Sequence, residues 1–258
     1  MRAGCGMSWL GVSRLGLSRL GAWARQGPPE PPLLAAPRRD AVIAAVAAAL
    51  TAAAFIAAAD NAVLAHIQHL DDAWLRLMVS GRTAPVTEIA KVFNVLGLVC
   101  VTFPVRVAVI GYLGFRRRWW RLAAFGSAVL LSELLIGTLK GAYDRVRPPG
   151  SLVATSGASF PSGHSIAASV TVLAMVIALV PAGPRRVAWA FAAAIFAVMM
   201  AASRAYLGAH WLSDAIAGLL LGISCALITA SAVDLAQRRY ARPAAPAAEQ
   251  SVPSADRR

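Results

Sequence analysis

The sequence predicts an all-α integral membrane protein, a bundle of six transmembrane helices with both termini cytoplasmic. Two observations carry the membrane assignment. Hydrophobic residues make up 58% of the 258-residue chain, and the mean hydropathy of +0.62 lies far above the usual soluble value. Charged residues are scarce and gather between long apolar runs, which separates the chain from a large soluble core. A third observation, the placement of arginines, sets the orientation.

Six apolar segments are long enough to cross a bilayer, given the roughly 20 residues a helix needs. They run over about 41–59, 92–114, 122–139, 165–183, 187–203 and 212–233. Before them, residues 1–40 are rich in Gly, Pro and Arg and read as a basic, disordered cytoplasmic arm. Arg14, Arg19 and Arg25 interrupt every apolar run there, so no signal-peptide core is expected. Trp9, Leu10, Leu17 and Leu20 would suit a membrane-surface helix as the alternative. Residues 236–258, rich in Ala, Pro and Arg, read as a disordered cytoplasmic tail. The six-span domain is then 41–235.

Positive residues mark the cytoplasmic side. Arg38 and Arg39, Arg116–Arg117–Arg118 with Arg121, Arg185 with Arg186, and Arg238, Arg239 and Arg242 all fall on one side of the six spans. The 60–91 loop falls on the other, where Asp60, Asp71, Asp72 and Glu88 offset Arg76, Arg82 and Lys91. The net charge of +13 also invites a nucleic-acid reading, but its arginines lie in loops and tails between spans, so no nucleic-acid partner is expected. Cys5, Cys100 and Cys225 show neither metal nor disulfide spacing.

Three polar strings fall on the outer side. Lys140 ends the third span, with Arg147 and Pro148 seven residues on. A lysine point charge and an arginine fork suit phosphoryl oxygens, and the proline pins the loop. Taken alone, the two cations also fit interfacial snorkelling residues. Pro161–Ser162–Gly163–His164 opens the fourth span. Ser162 suits an N-cap, Gly163 admits close approach of the backbone, and the free N–H groups of the helix start favour an anion. An ordinary cap followed by an incidental histidine is the competing reading. Ser203 and Arg204 close the fifth span, and His210 and Asp214 follow with helical i, i+4 spacing. An aspartate beside an imidazole fixes its tautomer and raises its nucleophilicity.

In this order the strings resemble the signature of the type 2 phosphatidic acid phosphatase superfamily: Lys, six residues, Arg-Pro; Pro-Ser-Gly-His; Ser-Arg, five residues, His, three residues, Asp. Lys140, Arg147, Pro148, Pro161, Ser162, Gly163, His164, Ser203, Arg204, His210 and Asp214 meet every fixed position. The resemblance implies metal-independent, cofactor-free phosphate transfer in two steps. His210 would attack phosphorus with Asp214 orienting it, and His164 would protonate the leaving oxygen and then activate water. Lys140, Arg147, Arg204, Ser162 and the Gly163 backbone would hold the phosphoryl oxygens. The implied partners are membrane lipids and a lipid phosphate substrate: a polyprenyl diphosphate, phosphatidic acid or phosphatidylglycerol phosphate. A lipid phosphotransferase using the same histidines and a non-catalytic phospholipid-binding protein are the alternatives. The soluble vanadium-dependent haloperoxidases of the same superfamily do not fit six spans.

Residues beside the motifs carry further expectations. Asp144 would pair with Arg145 or Arg147. Arg106 and Glu133, roughly 14 and 17 Å from the cytoplasmic ends of spans two and three, would form a buried pair. His66 and His69 before Asp71 and Asp72 make a weak metal set. Leu70, Trp74, Leu75 and Leu77 suit an interfacial helix involved in substrate access.

Overall fold

A computed structural model describes residues 30–241, and it is all-helical there. The basic arm's apolar residues Trp9, Leu10, Leu17 and Leu20 and the tail from 242 on lie outside the described residues. Eight helices follow one another: α1 Pro37–Ala59, α2 Asn61–Ser80, α3 Ala84–Leu96, α4 Val99–Phe115, α5 Trp119–Tyr143, α6 Gly163–Leu179, α7 Pro184–Tyr206 and α8 Leu212–Ala241.

Local chemistry sets the boundaries. Asp60 separates α1 from α2, its carboxylate accepting from the Ala62 and Val63 N–H groups at 2.9 and 3.0 Å. Pro residues stand at the first turns of α1, α3 and α7, where no intrahelical N–H is needed. Ser162 caps α6 through the Ser165 N–H. Asp214, in the first turn of α8, reaches back to the Trp211 N–H at 3.0 Å, as in half of a capping box.

Helices α1, α5, α7 and α8 are long and apolar enough to cross a membrane, and α3 with α4 passes as a pair bent by 51°. The second expected span is therefore not one straight helix. It breaks at Gly97–Leu98, where a Cβ on Gly97 would stand 2.3 Å from the His164 ring. The fourth is shorter than expected, 17 residues ending at Leu179. The expected 60–91 loop is in fact α2 and the start of α3, so the apolar stripe of Leu70, Trp74, Leu75 and Leu77 does sit on a helix.

Residues 30–40 of the expected arm and 236–241 of the expected tail are ordered. Residues 30–36 are pinned before α1 begins. Leu33 is fully buried, Arg186 donates to its carbonyl, and Asp234 accepts the Leu34 N–H at 3.0 Å. Arg238 joins Asp234 at 2.6 Å and the Leu34 carbonyl at 2.7 Å, so α8 extends past 236. Glu30 lies 3.7 Å from Arg121 at the same end of the bundle.

Helix α6 packs against α8, α7 and α5. Its Ser162–Ser169 stretch meets Gly218 and Gly222 of α8, the small residues that let membrane helices approach closely. A Cβ on Gly222 would stand 2.0 Å from Ser169 Oγ and 2.6 Å from the Ile166 carbonyl; one on Gly218 would stand 2.6 Å from the Ser162 carbonyl. Gly222→Ala should accordingly lose about 1–3 kcal/mol of stability, as overpacked cores do, read as a lower Tm in detergent. A Tm equal to wild type would mean the helices are not in contact there.

Arg106 and Glu133 meet as the sequence suggests, Nη1 donating to Oε1 at 2.5 Å. Arg106 also donates to Thr171 Oγ1 at 2.9 Å, which ties α4 and α5 to α6. Its side chain is buried while that of Glu133 is 51% exposed. Replacing either alone should destabilise by less than the ~3–5 kcal/mol seen for fully buried pairs, and exchanging the two should recover part of the loss. A double exchange no more stable than the single variants argues against the pair.

Candidate active site

The alternation of helix direction brings the C-terminal ends of α5 and α7 and the N-terminal ends of α6 and α8 to one end of the bundle. All three polar strings meet there, joined by the backbone bond from Ser162 N–H to the Asp214 carbonyl at 3.1 Å.

His210 sits on a tight turn between α7 and α8. Gly208 takes a positive φ of 70°, which a glycine adopts without strain. The Arg204 carbonyl then accepts the Ala209 and His210 N–H groups at 3.1 and 3.3 Å. The imidazole is 3% exposed. Its Nδ1 lies 2.7 Å from the Ser159 carbonyl, which only accepts, so Nδ1 carries the proton. Nε2 lies 3.2 Å from Arg147 Nη1, which only donates, so Nε2 presents its lone pair. Burial pushes the His210 pKa down to about 4, with Asp214 opposing that shift and the Arg147 charge adding to it. The ring is neutral at neutral pH.

Asp214 does not hold His210 in the expected hydrogen bond. Its Oδ2 is 3.7 Å from Nδ1, an ion-pair distance, because the Ser159 carbonyl takes the proton instead. The carboxylate, 0% exposed, is fully engaged: Oδ2 accepts from Ser159 Oγ and from Trp211 N, and Oδ1 accepts from Arg145 at 2.6 Å.

The cationic residues converge around this turn. Lys140 Nζ and Arg147 Nη2 both donate to the Ala158 carbonyl, at 3.0 and 3.1 Å. Arg147 further donates to the carbonyls of Gly157, Ala209 and Ser156 at 2.9, 2.7 and 2.8 Å. These two side chains thus shape the 156–158 loop as well as charge the site. Arg204 is buried and donates from Nη1 to Asn94 Oδ1 of α3, while its Nε has no hydrogen-bond partner. His164 Nε2 is likewise buried without a partner. Arg204, His210 and Lys140 are within electrostatic reach of it. Gly163 passes the Lys140 stem, 3.7 Å from where a Cβ would be. Pro148 and Pro161 are buried beneath the loops they terminate.

Three expected roles take another form. Ser162 Oγ is engaged as the α6 cap and accepts from Ser165 Oγ at 3.0 Å. Ser203 Oγ donates back to the Met200 carbonyl at 2.7 Å, a helix-internal bond. Asp144 is exposed and ends α5 at a φ of 27°. Arg145 pairs with Asp71 and Asp214 instead, the two carboxylates its buried fork can reach together. Asp71 is thereby occupied, and Asp72 accepts from Gln68 at 2.9 Å, which dissolves the imagined metal set. Sequence reasoning missed Asn94, Gly97, Ser159 and Gln68. The glycine between Leu96 and Leu98 was the one visible signal, a break inside an apolar run.

The profile of the PAP2 superfamily matches residues 121–238. Phosphatidylglycerophosphatase B of Bacillus subtilis strain 168 is 31% identical over 167 residues, 61% of this chain and 80% of that protein. The crystal structure of the transmembrane PAP2-type phosphatidylglycerolphosphate phosphatase from Bacillus subtilis superposes with a TM-score of 0.60. It is 29% identical, over 71% of this chain and 93% of that one. The chain belongs to the PAP2 superfamily. Within it, the chain is an integral membrane phosphatase of the lipid phosphate hydrolase class.

Since protonation removes the Nε2 lone pair, and the pKa of His210 is lowered from 6.5 to about 4, the neutral ring persists to lower pH than a free imidazole would allow. The kcat/KM profile, which reports the free enzyme, should keep its acid limb near pH 4 once the substrate's own titration is divided out. A limb at 6.5 would show an exposed, ordinary histidine.

Proposed function

We propose that the chain hydrolyses the phosphomonoester or diphosphate of a membrane lipid through a phosphohistidine on His210 Nε2. The tautomer carries this reading: Nδ1 is committed to a carbonyl, and Nε2 points its lone pair at the cation expected to hold a phosphoryl oxygen. In the first step the Nε2 lone pair forms a bond to phosphorus as the bond from phosphorus to the leaving oxygen breaks. His164, which burial and the nearby cations keep neutral in the empty site, gains its proton once the negative phosphoryl group lies beside it and gives that proton to the leaving oxygen. In the second step the now neutral His164 takes a proton from water, the oxygen bonds to phosphorus, and the P–N bond breaks. Inorganic phosphate leaves and Nε2 regains its lone pair.

Lys140, Arg147 and Arg204 bring three cationic side chains to bear on the phosphoryl oxygens, the electrostatic role a metal fills elsewhere. The unpartnered Arg204 Nε and His164 Nε2 support an anion in their midst, since buried polar groups otherwise find partners. Rebuilding of Lys140 and Arg147 from loop carbonyls to phosphate would accompany binding.

A lipid leaving group is supported by the cavity beside His164. It has a volume of about 420 Å³ and is walled by α4, α5 and α6, with Leu98, Phe103, Ile110 and Ile136 along it and Gly163 and His164 at one end. The relative of 31% identity makes phosphatidylglycerol phosphate the first substrate to test, with phosphatidic acid and polyprenyl diphosphates suiting the same site. The arginine distribution supports six crossings with both termini in the cytoplasm and the site on the extracytoplasmic face of the plasma membrane.

Phosphate release by the purified protein in detergent, from a panel of these lipids with and without chelator, tests the reading. Release should persist in chelator, and brief incubation with substrate labelled in its terminal phosphate should leave base-stable label on the protein. His210→Ala should lose the label and lower kcat by about three orders of magnitude or more. Turnover that survives in His210→Ala would exclude the covalent route.

A further inference from the structure

Arg145 occupies none of the fixed motif positions, yet its side chain makes four hydrogen bonds beside the site. From Nη1 it donates to Asp214 Oδ1 at 2.6 Å and to Ser213 Oγ at 2.7 Å. From Nη2 it donates to Asp71 Oδ2 at 2.8 Å and to Gln68 Oε1 at 2.7 Å. Its guanidinium carbon lies 5.6 Å from the centre of the Trp211 ring, within cation–π range. The side chains of Asp71 and Asp214 are 2% and 0% exposed. Asp71 in turn accepts the Ser213 N–H at 2.9 Å and its Oγ at 2.6 Å, at the first turn of α8.

We propose that Asp71, Arg145 and Asp214 form a buried chain of alternating charge that sets the position and basicity of His210. Asp71 on α2 is then a positioning residue of the site, although it precedes the segment 121–238 that the superfamily profile matches. The proposal rests on the reading of His210 as nucleophile.

The physics has a sign. Arg145 stands between two carboxylates, and only one of them, Asp214, adjoins the imidazole. Removing the far anion leaves the guanidinium less compensated, so more positive potential reaches His210 and protonation becomes harder. Removing the cation does the opposite, because the full negative charge of Asp214 then acts on His210. The other groups facing the ring are Arg147, Arg204, Lys140, His164 and the Ser159 carbonyl, and neither change touches them. A clamp that merely fastens α2 to α8 has no such sign.

The test compares kcat, KM and the pH profile of kcat/KM for Asp71→Asn, Arg145→Gln and Arg145→Lys in the full-length protein, on one lipid phosphate. The substrate's own titration is common to all. The acid limb should move down by about half a unit to one unit in Asp71→Asn and up by a similar amount in Arg145→Gln. Arg145→Lys keeps the charge and loses the fork. Its limb should stay in place while kcat falls about tenfold at unchanged KM, a factor of ten being 1.36 kcal/mol in the barrier. Should Arg145→Gln fail to fold, a lowered limb in Asp71→Asn beside an unmoved one in Arg145→Lys sustains the proposal. Limbs that coincide in every folded variant overturn it, as does a shift of the same direction at both ends of the chain. Activity surviving in His210→Ala would instead remove the nucleophile reading; an inactive His210→Ala beside unmoved limbs removes only this inference.

Discussion

The close crossing of α6 and α8 is the constraint on which the site depends. Two glycines, Gly218 and Gly222, let the α8 backbone lie against Ser162, Ile166 and Ser169 of α6. That contact sets the distance between the helix that begins at His164 and the helix that begins just after His210. The Ser162–Asp214 backbone bond closes it at the catalytic end. In a membrane, where apolar burial alone gives helices little reason to associate, such small-residue contact and polar bonds across it hold the bundle together. Chemistry and cohesion therefore share one seam, and a change in it moves both histidines relative to each other.

The site was legible where chemistry dictates residue type. Phosphate needs cations, acid–base work needs histidine, and a helix start needs a cap, so Lys140, Arg147, Ser162, His164, Arg204, His210 and Asp214 stood out, and the structure gathers them at one end. What held those residues in place was not legible. Asp71 and Arg145 are 74 positions apart, and nothing in local spacing says that a carboxylate on a presumed loop meets an arginine between two motif residues. Asn94 lies within an apolar run, and nothing near it in sequence marks it as the partner of Arg204. The reasonable inference that Asp214 takes the His210 proton failed for a similar reason: the Ser159 carbonyl, distant in sequence, is nearer.

The fold shows the same division. Six apolar segments correspond to α1, the bent α3–α4 pair, α5, α6, α7 and α8, because length and hydropathy are local properties. The break at Gly97 depends on a ring from another helix, and the order of residues 30–36 depends on Arg186 and Arg238 reaching across the bundle. Arginines counted only as topology markers thus also act as fasteners. Arg121 is a further instance, donating to the Ala178 carbonyl at 2.9 Å at the end of α6.

The brevity of α6 has a consequence for water. Seventeen residues at about 1.5 Å each reach roughly 25 Å, some 5 Å less than the hydrocarbon thickness. Were α6 to span with Leu179 at one interface, its Gly163 end would stop short of the other, and the polar loops 144–162 and 207–211 would fill the difference. A phosphate meeting the helix start there would carry its hydration to a depth where the surrounding lipid is dry.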